Sequence, residues 1–170
     1  MPVSFLNQNR RIAAMPRRLP LLAAALWAFA APPALAVDGV LTLDSAHSGA
    51  ATVERLSDAI EARGFKVFAT LDHAAAAAEA DLEMPFSTVV VFGNPKLGTP
   101  AFVQTPRLAL DLPLKALVWE DAEGDAFVSY NSSAYMYGTI YERHGQPYPE
   151  AMVGRLEQGL AGMMQEAAGD

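Results

Sequence analysis

The sequence predicts an α+β domain, a single mostly antiparallel sheet with helices packed on one face, and three observations predict it. Thr88-Val89-Val90-Val91-Phe92 is apolar on both faces and stops at a Gly93-Asn94-Pro95 bend, the pattern of a strand inside a sheet. Residues 114–121 and 126–130 flank Ala122-Glu123-Gly124-Asp125, turn chemistry that joins antiparallel neighbours. Val53, Leu56, Ala59 and Ile60 before these strands, and Met152, Val153, Leu156, Leu160, Met163 and Met164 after them, each give a helix one apolar stripe for a sheet to bury.

A chain of 170 residues, 52% hydrophobic and 18% charged, is long enough for one domain with a full core and too apolar to be disordered. Its N-terminus reads differently. Arg10, Arg11, Arg17 and Arg18 precede the apolar run Leu19 to Ala31, which ends in Pro32-Pro33-Ala34-Leu35-Ala36. A basic region, a short apolar region and an Ala-x-Ala site make a secretory signal peptide cleaved after Ala36, with Met15 as an alternative start. The apolar run falls short of the ~20 residues a spanning helix needs, so an uncleaved anchor is the lesser reading. The expected organisation is a leader over residues 1–36 and a single α+β domain over residues 37–170, periplasmic or secreted. Cleavage removes four of twelve basic residues and none of nineteen acidic ones; eight against nineteen leaves a net charge of −11. That surface repels phosphate backbones and anionic membranes, which argues against nucleic acid or membrane as partners of the mature chain. With no cysteine, disulfides, thiolate nucleophiles and cysteine-ligated metals are excluded.

In chain order, Val40, Leu41 and Leu43 among polar neighbours make a short first strand. Ser45 or Ser48 caps the helix that follows, and Arg63-Gly64 stops it. Phe65 to Leu71 alternates and is the second strand, antiparallel to the first only if the helix crosses over, otherwise parallel. Asp72 is a natural N-cap for the alanine-rich turns Ala74 to Ala80. After the strand Thr88 to Phe92, the bend from Gly93 to Pro100 is stiffened by Pro95 and Pro100, and Leu97 to Thr105 forms a short helix. Residues 108–113 connect to the hairpin, and the aromatic stretch Ala134 to Tyr141 is a helical turn or an irregular cover over the sheet. Tyr148-Pro149-Glu150 opens the last helix, whose Gly154, Gly159 and Gly162 make it depend on docking.

Asp72-His73, the Phe92-Gly-Asn-Pro-Lys-x-Gly-Thr-Pro100 stretch, Ala109-Leu-Asp-Leu-Pro-Leu114, Leu117-Val-Trp-Glu-Asp121 and Val128-Ser-Tyr-Asn131 together resemble the bacterial and archaeal family known as domain of unknown function 302. The likeness runs from about Val40 to Arg143. It implies a β-α-ββββ-α order similar to the TATA-box-binding-protein-like fold, without DNA binding, and it implies no activity. Asp81 stands where that pattern has glycine, and Phe86-Ser87 where it has Pro-Thr.

For chemistry, His73 beside Asp72 is the candidate acid or base, against the plainer reading in which Asp72 caps a helix and His73 bonds a loop carbonyl. Gly93, Asn94, Lys96, Gly98 and Thr99 form a candidate ligand loop. It lacks the lysine a phosphate loop needs before Thr99, so a carboxylate or other small anion suits it better than a nucleotide; the alternative is a rigid turn. Asp121, Glu123 and Asp125 read as a solvated turn rather than a Ca²⁺ loop, and His47, His73 and His144 share no zinc spacing. The aromatic residues Tyr130, Tyr135, Tyr137 and Tyr141 read as core cover or a subunit contact. No cofactor or metal is implied. The leading expectation is an exported small-ligand-binding or structural module whose pocket or homodimer contact is formed by His73, Asn94 and Lys96. The alternative is a small hydrolase- or lyase-like enzyme with His73 as general base and Asp72 orienting it.

Overall fold

The computed structural model describes residues 39–169; the expected leader, residues 1–36, lies outside them. Strand β1 (Val40–Asp44) leads into helix α1 (Gly49–Ala62). Of the two candidate caps Ser48 takes the role, its side chain accepting from the Ala51 amide, while the Ser45 hydroxyl bonds Thr52 Oγ1 at 2.7 Å. Glu120 also reaches this helix start, Oε1 accepting from the Gly49 amide at 2.8 Å, where an anion is favoured. Gly49 is required there because a Cβ would lie 2.4 Å from the Phe86 ring. The helix stops at Gly64, whose φ of 74° is left-handed.

Strand β2 (Lys66–Asp72), helix α2 (His73–Glu79), strand β3 (Ser87–Gly93) and helix α3 (Pro95–Gln104) follow, then a 3₁₀ turn, Pro106–Leu110. The hairpin is β4 (Leu114–Glu120) and β5 (Ala126–Asn131). Helix α4, residues 133–144, is π-helical through its middle, Met136–Tyr141, and helix α5 is Ala151–Ala168. The five strands form one antiparallel sheet in the order β1-β5-β4-β3-β2. The first two strands therefore do not pair. Helix α1 carries the chain from one edge of the sheet to the other, and β3 is interior but one place off the middle, which β4 occupies.

Register sorts the side chains. Val90 opposes Ala116, and Ala116 opposes Tyr130; Thr88 opposes Val118, and Val118 opposes Val128. All of these are buried, and with Phe92 they make the face covered by α1 and α5, which pack on each other and on the sheet. Leu56, Ala59 and Ile60 from α1 meet Leu160, Met163, Met164 and Ala167 from α5 there. The other face carries Val89, Val91, Leu117, Trp119, Phe127 and Ser129, none of them fully buried. On it Trp119 stacks on Phe127 at 4.6 Å, and its Nε1–H donates to Ser129 Oγ at 3.0 Å. Helix α5 is tied down at its end by Arg55, which donates to the carbonyls of Glu166, Ala167 and Gly169. The fork geometry of the guanidinium serves three carbonyls that the last helical turn leaves open.

Candidate functional site

The bend after β3 is built as a helix start. Asn94 is the N-cap of α3, its Oδ1 accepting from the Lys96 amide at 3.0 Å, and Pro95 takes the first helical position, where a missing N–H costs nothing. Asn94 Nδ2 donates to the Gly64 carbonyl at 3.1 Å and ties this start to the end of α1. The helix thus begins earlier than the expected Leu97, at the bend itself. None of its residues is fully buried, so α3 acts as a wall rather than as a core element.

That wall closes a cavity of about 530 Å³ between α3, the adjoining ends of β3 and β4, helix α4 and residues 146–156. Gly93, Asn94, Gly98 and Thr99 line it, and Lys96 does not. His73 and Asp72 are not there either, which corrects the expected grouping of His73 with Asn94 and Lys96. Lys66 pairs with Gly93 at one end of β2 and β3, and Asp72 pairs with Thr88 at the other. At ~3.3 Å per residue the two sites lie roughly 20 Å apart. The cause is topological: neighbouring antiparallel strands have their C-termini at opposite ends of the sheet along the strand direction. Asp72 Oδ1 accepts from the Ala75 amide at 2.9 Å as the N-cap of α2, and His73 is exposed beside it.

Six aromatic residues stand in the lining. Tyr137 stacks on Tyr148 at 4.7 Å, Tyr141 meets Tyr137 edge-on at 4.8 Å, and Phe65, Phe68 and Phe102 close the other side. No lining residue carries a formal charge. Burial pushes both the Tyr137 and Tyr141 phenols above their ordinary pKa, the negative charge of an ionised Tyr141 adding to the effect on Tyr137, so both stay neutral at physiological pH. Tyr137 and Tyr141 come from the π-helical segment, a geometry that occurs mostly as single turns and frequently at functional sites. Of the other two aromatic residues expected to cluster with them, Tyr130 instead hydrogen-bonds Glu157 from the sheet, and Tyr135 packs on Gly39.

Gln146 contributes the buried polar group of the wall. Its backbone N–H donates to the Tyr141 carbonyl at 2.9 Å, and its Nε2 donates to Gln104 Oε1 at 3.0 Å and to the Pro147 carbonyl at 3.2 Å. Oε1 is buried and has no partner. An acceptor left so costs about 1–3 kcal/mol.

A second titratable cluster pins the wall from outside. His144 Nε2 lies 2.5 Å from Asp111 Oδ2, and Arg143 Nη1 lies 3.3 Å from the same carboxylate. The His144 side chain is 7% exposed. Together they hold the end of α4 against residues 111–114, of which Leu112, Pro113 and Leu114 line the cavity. The hydrogen bond from His144 draws the Asp111 pKa below the usual carboxylate range; partial burial opposes this, and the Arg143 charge assists it. A lowered folded-state pKa contributes stability that is present above the unfolded value and is lost as pH falls through the folded one. Asp111→Asn is therefore expected to lower the urea midpoint at pH 7 and to lower it by less at pH 3. An equal offset at both pH values would refute the linkage.

Sequence reasoning missed this cluster and Gln146. His144 drew notice only as a metal candidate, and nothing in a separation of 33 residues pairs it with Asp111. Among the described residues no three His, Asp or Glu side chains converge as a metal site. The acidic hairpin is a self-bonded turn, with Asp121 Oδ1 accepting from the amides of Glu123 and Asp125.

Three proteins of Brucella are similar in sequence, each 34% identical over 141 residues, or 82% of this chain. Those of Brucella suis and Brucella abortus are called fluoride-specific ion channel FluC 1, and that of Brucella melitensis fluoride-specific ion channel FluC 2. The matched part is 51–54% of their length, so the chain spans about half of the curated relatives it matches. No helix among the described residues is long and apolar enough to cross a membrane. The crystal structure of an uncharacterized conserved DUF302 protein from Bacillus stearothermophilus aligns with a TM-score of 0.65 at 17% identity, covering 77% of this chain and 99% of that one, which is a likeness of fold. The model of the family described as domain of unknown function DUF302 matches residues 41–167, and this chain belongs to that family.

Proposed function

We propose that this chain is a binding module for a small, neutral, largely apolar molecule, working in the periplasm or outside the cell after loss of residues 1–36. The observation that carries the reading is the uncharged, aromatic cavity of about 530 Å³. Its volume falls within the ~300–1,000 Å³ of small-molecule sites, and its few polar groups are the number such sites use for orientation. A neutral occupant fits better than the small anion expected from the loop, because Lys96 stands outside the lining and no cation replaces it. The hydrolase- or lyase-like alternative has little to support it, since Asp72 is engaged as a cap and His73 stands on the surface about 20 Å away. In the Brucella relatives the shared half is joined to about as much chain again, and we read it there as an attached module beside the part that their name describes.

N-Phenyl-1-naphthylamine, a neutral dye that brightens in apolar surroundings, tests the proposal. At about 0.4 kcal/mol per non-hydrogen atom its 17 or so atoms give about 7 kcal/mol, a Kd of roughly 10 μM, at one site per chain. Ala101→Trp, which fills the cavity from α3, is expected to weaken binding more than about tenfold at unchanged circular dichroism. A dye that binds both proteins equally, or neither, would remove the reading.

A further inference from the structure

We propose that residues 95–99, the first half of α3, form a lid that swings about Pro100 to admit and release the cavity's occupant, and that Asn94 is its latch. The inference rests on reading the cavity as a ligand site. The way in is marked by lining residues that also face solvent, because there the cavity and the surface meet. Half of these, Pro95, Leu97, Thr99 and Pro100, belong to the first six residues of α3. Leu97 is 60% exposed, and Phe68, from the neighbouring edge strand, is 46% exposed in the same lining. Gly93, Met136 and Tyr137 are buried behind them.

The two halves of α3 are held differently. In the second, Ala101 and Phe102 pack against the cluster of Leu108, Met136, Tyr137 and Ile140, and Gln104 Oε1 accepts from Gln146 Nε2 at 3.0 Å. The first half joins neither apolar cluster. Among the described residues its end of the helix is tied to another element by one side-chain hydrogen bond, from Asn94 Nδ2 to the Gly64 carbonyl at 3.1 Å. Pro100 stands between the halves and has no N–H, so the bond from that position back to the Lys96 carbonyl cannot form. With that rung missing the first turn can tilt on the second, and proline is where helices bend. Segments that open around ligands are drawn from the weakly held parts of a fold, and an occupant with most of its surface covered needs such a segment to pass.

Stopped-flow fluorescence with N-phenyl-1-naphthylamine decides this, because a lid governs entry and exit alike whereas a lost contact speeds exit alone. Asn94→Ser keeps a capping oxygen but is too short to reach Gly64, so association and dissociation are both expected to quicken by about threefold or more, the worth of an ordinary hydrogen bond. Pro100→Ala supplies the missing N–H and is expected to slow both. Dissociation that quickens in Asn94→Ser while association stays fixed, or rates unmoved in both variants, would overturn the lid and leave the cavity a ligand site. If the dye does not bind the wild-type chain, the reading of the cavity falls and takes this inference with it. Hydrogen exchange on the wild-type chain decides the matter even if a variant fails to fold. The amides of Leu97 and Gly98, which donate to the Asn94 carbonyl, are expected to exchange at least about threefold more slowly once the dye is bound. Bound dye that leaves their exchange unchanged would overturn the inference.

Discussion

Replacing Phe92 by alanine is expected to cost about 3–5 kcal/mol of folding stability, the usual range for a fully buried aromatic ring. Phe92 has no exposed surface and ends the run of β3 residues facing the helices. Its ring meets Phe65 edge-on, with centroids 6.2 Å apart at 62°, and Leu114 opposes it on β4. Alanine would leave a void that these side chains, held by strand pairing on either side, can fill only in part. For a domain of this size the loss corresponds to a fall in Tm of roughly 10–15 °C. Phe92→Leu, which keeps most of the volume, is expected to cost about 1.5 kcal/mol or less. Urea unfolding followed by circular dichroism would measure both; the midpoint should move at constant slope. A loss below about 1 kcal/mol for the alanine variant would contradict the packing described for this position.

Glu157→Leu is expected to be nearly as damaging, at about 2–4 kcal/mol, because it strands two groups at once. One carboxylate oxygen accepts from Tyr130 Oη at 3.2 Å, and the other accepts from the Ser133 amide at 2.7 Å. Ser133 lies at the start of α4, so Glu157 fastens α5 both to the sheet and to the preceding helix, a tie the Ser133 hydroxyl reinforces by donating to the Val153 carbonyl. The same carboxylate has a spectroscopic signature. Burial first, then the Glu157 charge and hydrogen bond, push the Tyr130 pKa up to about 12. A raised folded-state value gives stability that is present below the unfolded pKa of about 10 and is lost as pH rises towards 12. Tyr130→Phe should therefore flatten part of the alkaline fall in the urea midpoint; Tyr137 and Tyr141, also raised, account for more of it. In Glu157→Gln, which keeps the shape without the charge, the Tyr130 absorbance titration should move down towards the ordinary tyrosine value. An unmoved titration would separate Tyr130 from Glu157.

Local chemistry wrote much of the fold openly. The run Thr88 to Phe92 announced an interior strand, the Glu-Gly turn announced the β4–β5 hairpin, and the stripe from Met152 to Met164 announced α5. Each is a short-range signal, a period or a turn residue, and short-range signals survive in one dimension. The site is different because it depends on which strands are neighbours. Asp72-His73 and Gly93-Asn94 each close a strand and read as equivalent positions, yet β2 and β3 run antiparallel and send them to opposite ends of the strands. Gly93, Asn94, Gly98 and Thr99 do reach the cavity, though as the opening turns of a helix. The signal for that helix was present: asparagine before proline is both cap and first helical residue, and the bend was read as rigid without asking what the rigidity served. Gln146 and the Asp111–His144 pair left no pattern at all, since contacts between distant stretches carry no periodicity.

The π-helical stretch Met136–Tyr141 has a consequence for how the two ends of α4 are phased. An α-helix turns by about 100° per residue, and a wider turn effectively stores one surplus residue. Removing Gly138, where an added Cβ would meet nothing within 4 Å, would let the stretch relax to ordinary winding while everything after it keeps nearly the same phase, because the deletion takes out the surplus residue and the wide turn together. His144 would then still meet Asp111 and Met136 would stay seated, while the placing of Tyr137 and Tyr141 within the turn would change. The extra residue is thus taken up locally, so that the turn carrying Tyr137 and Tyr141 to the cavity can widen without moving the imidazole that meets a carboxylate behind the wall.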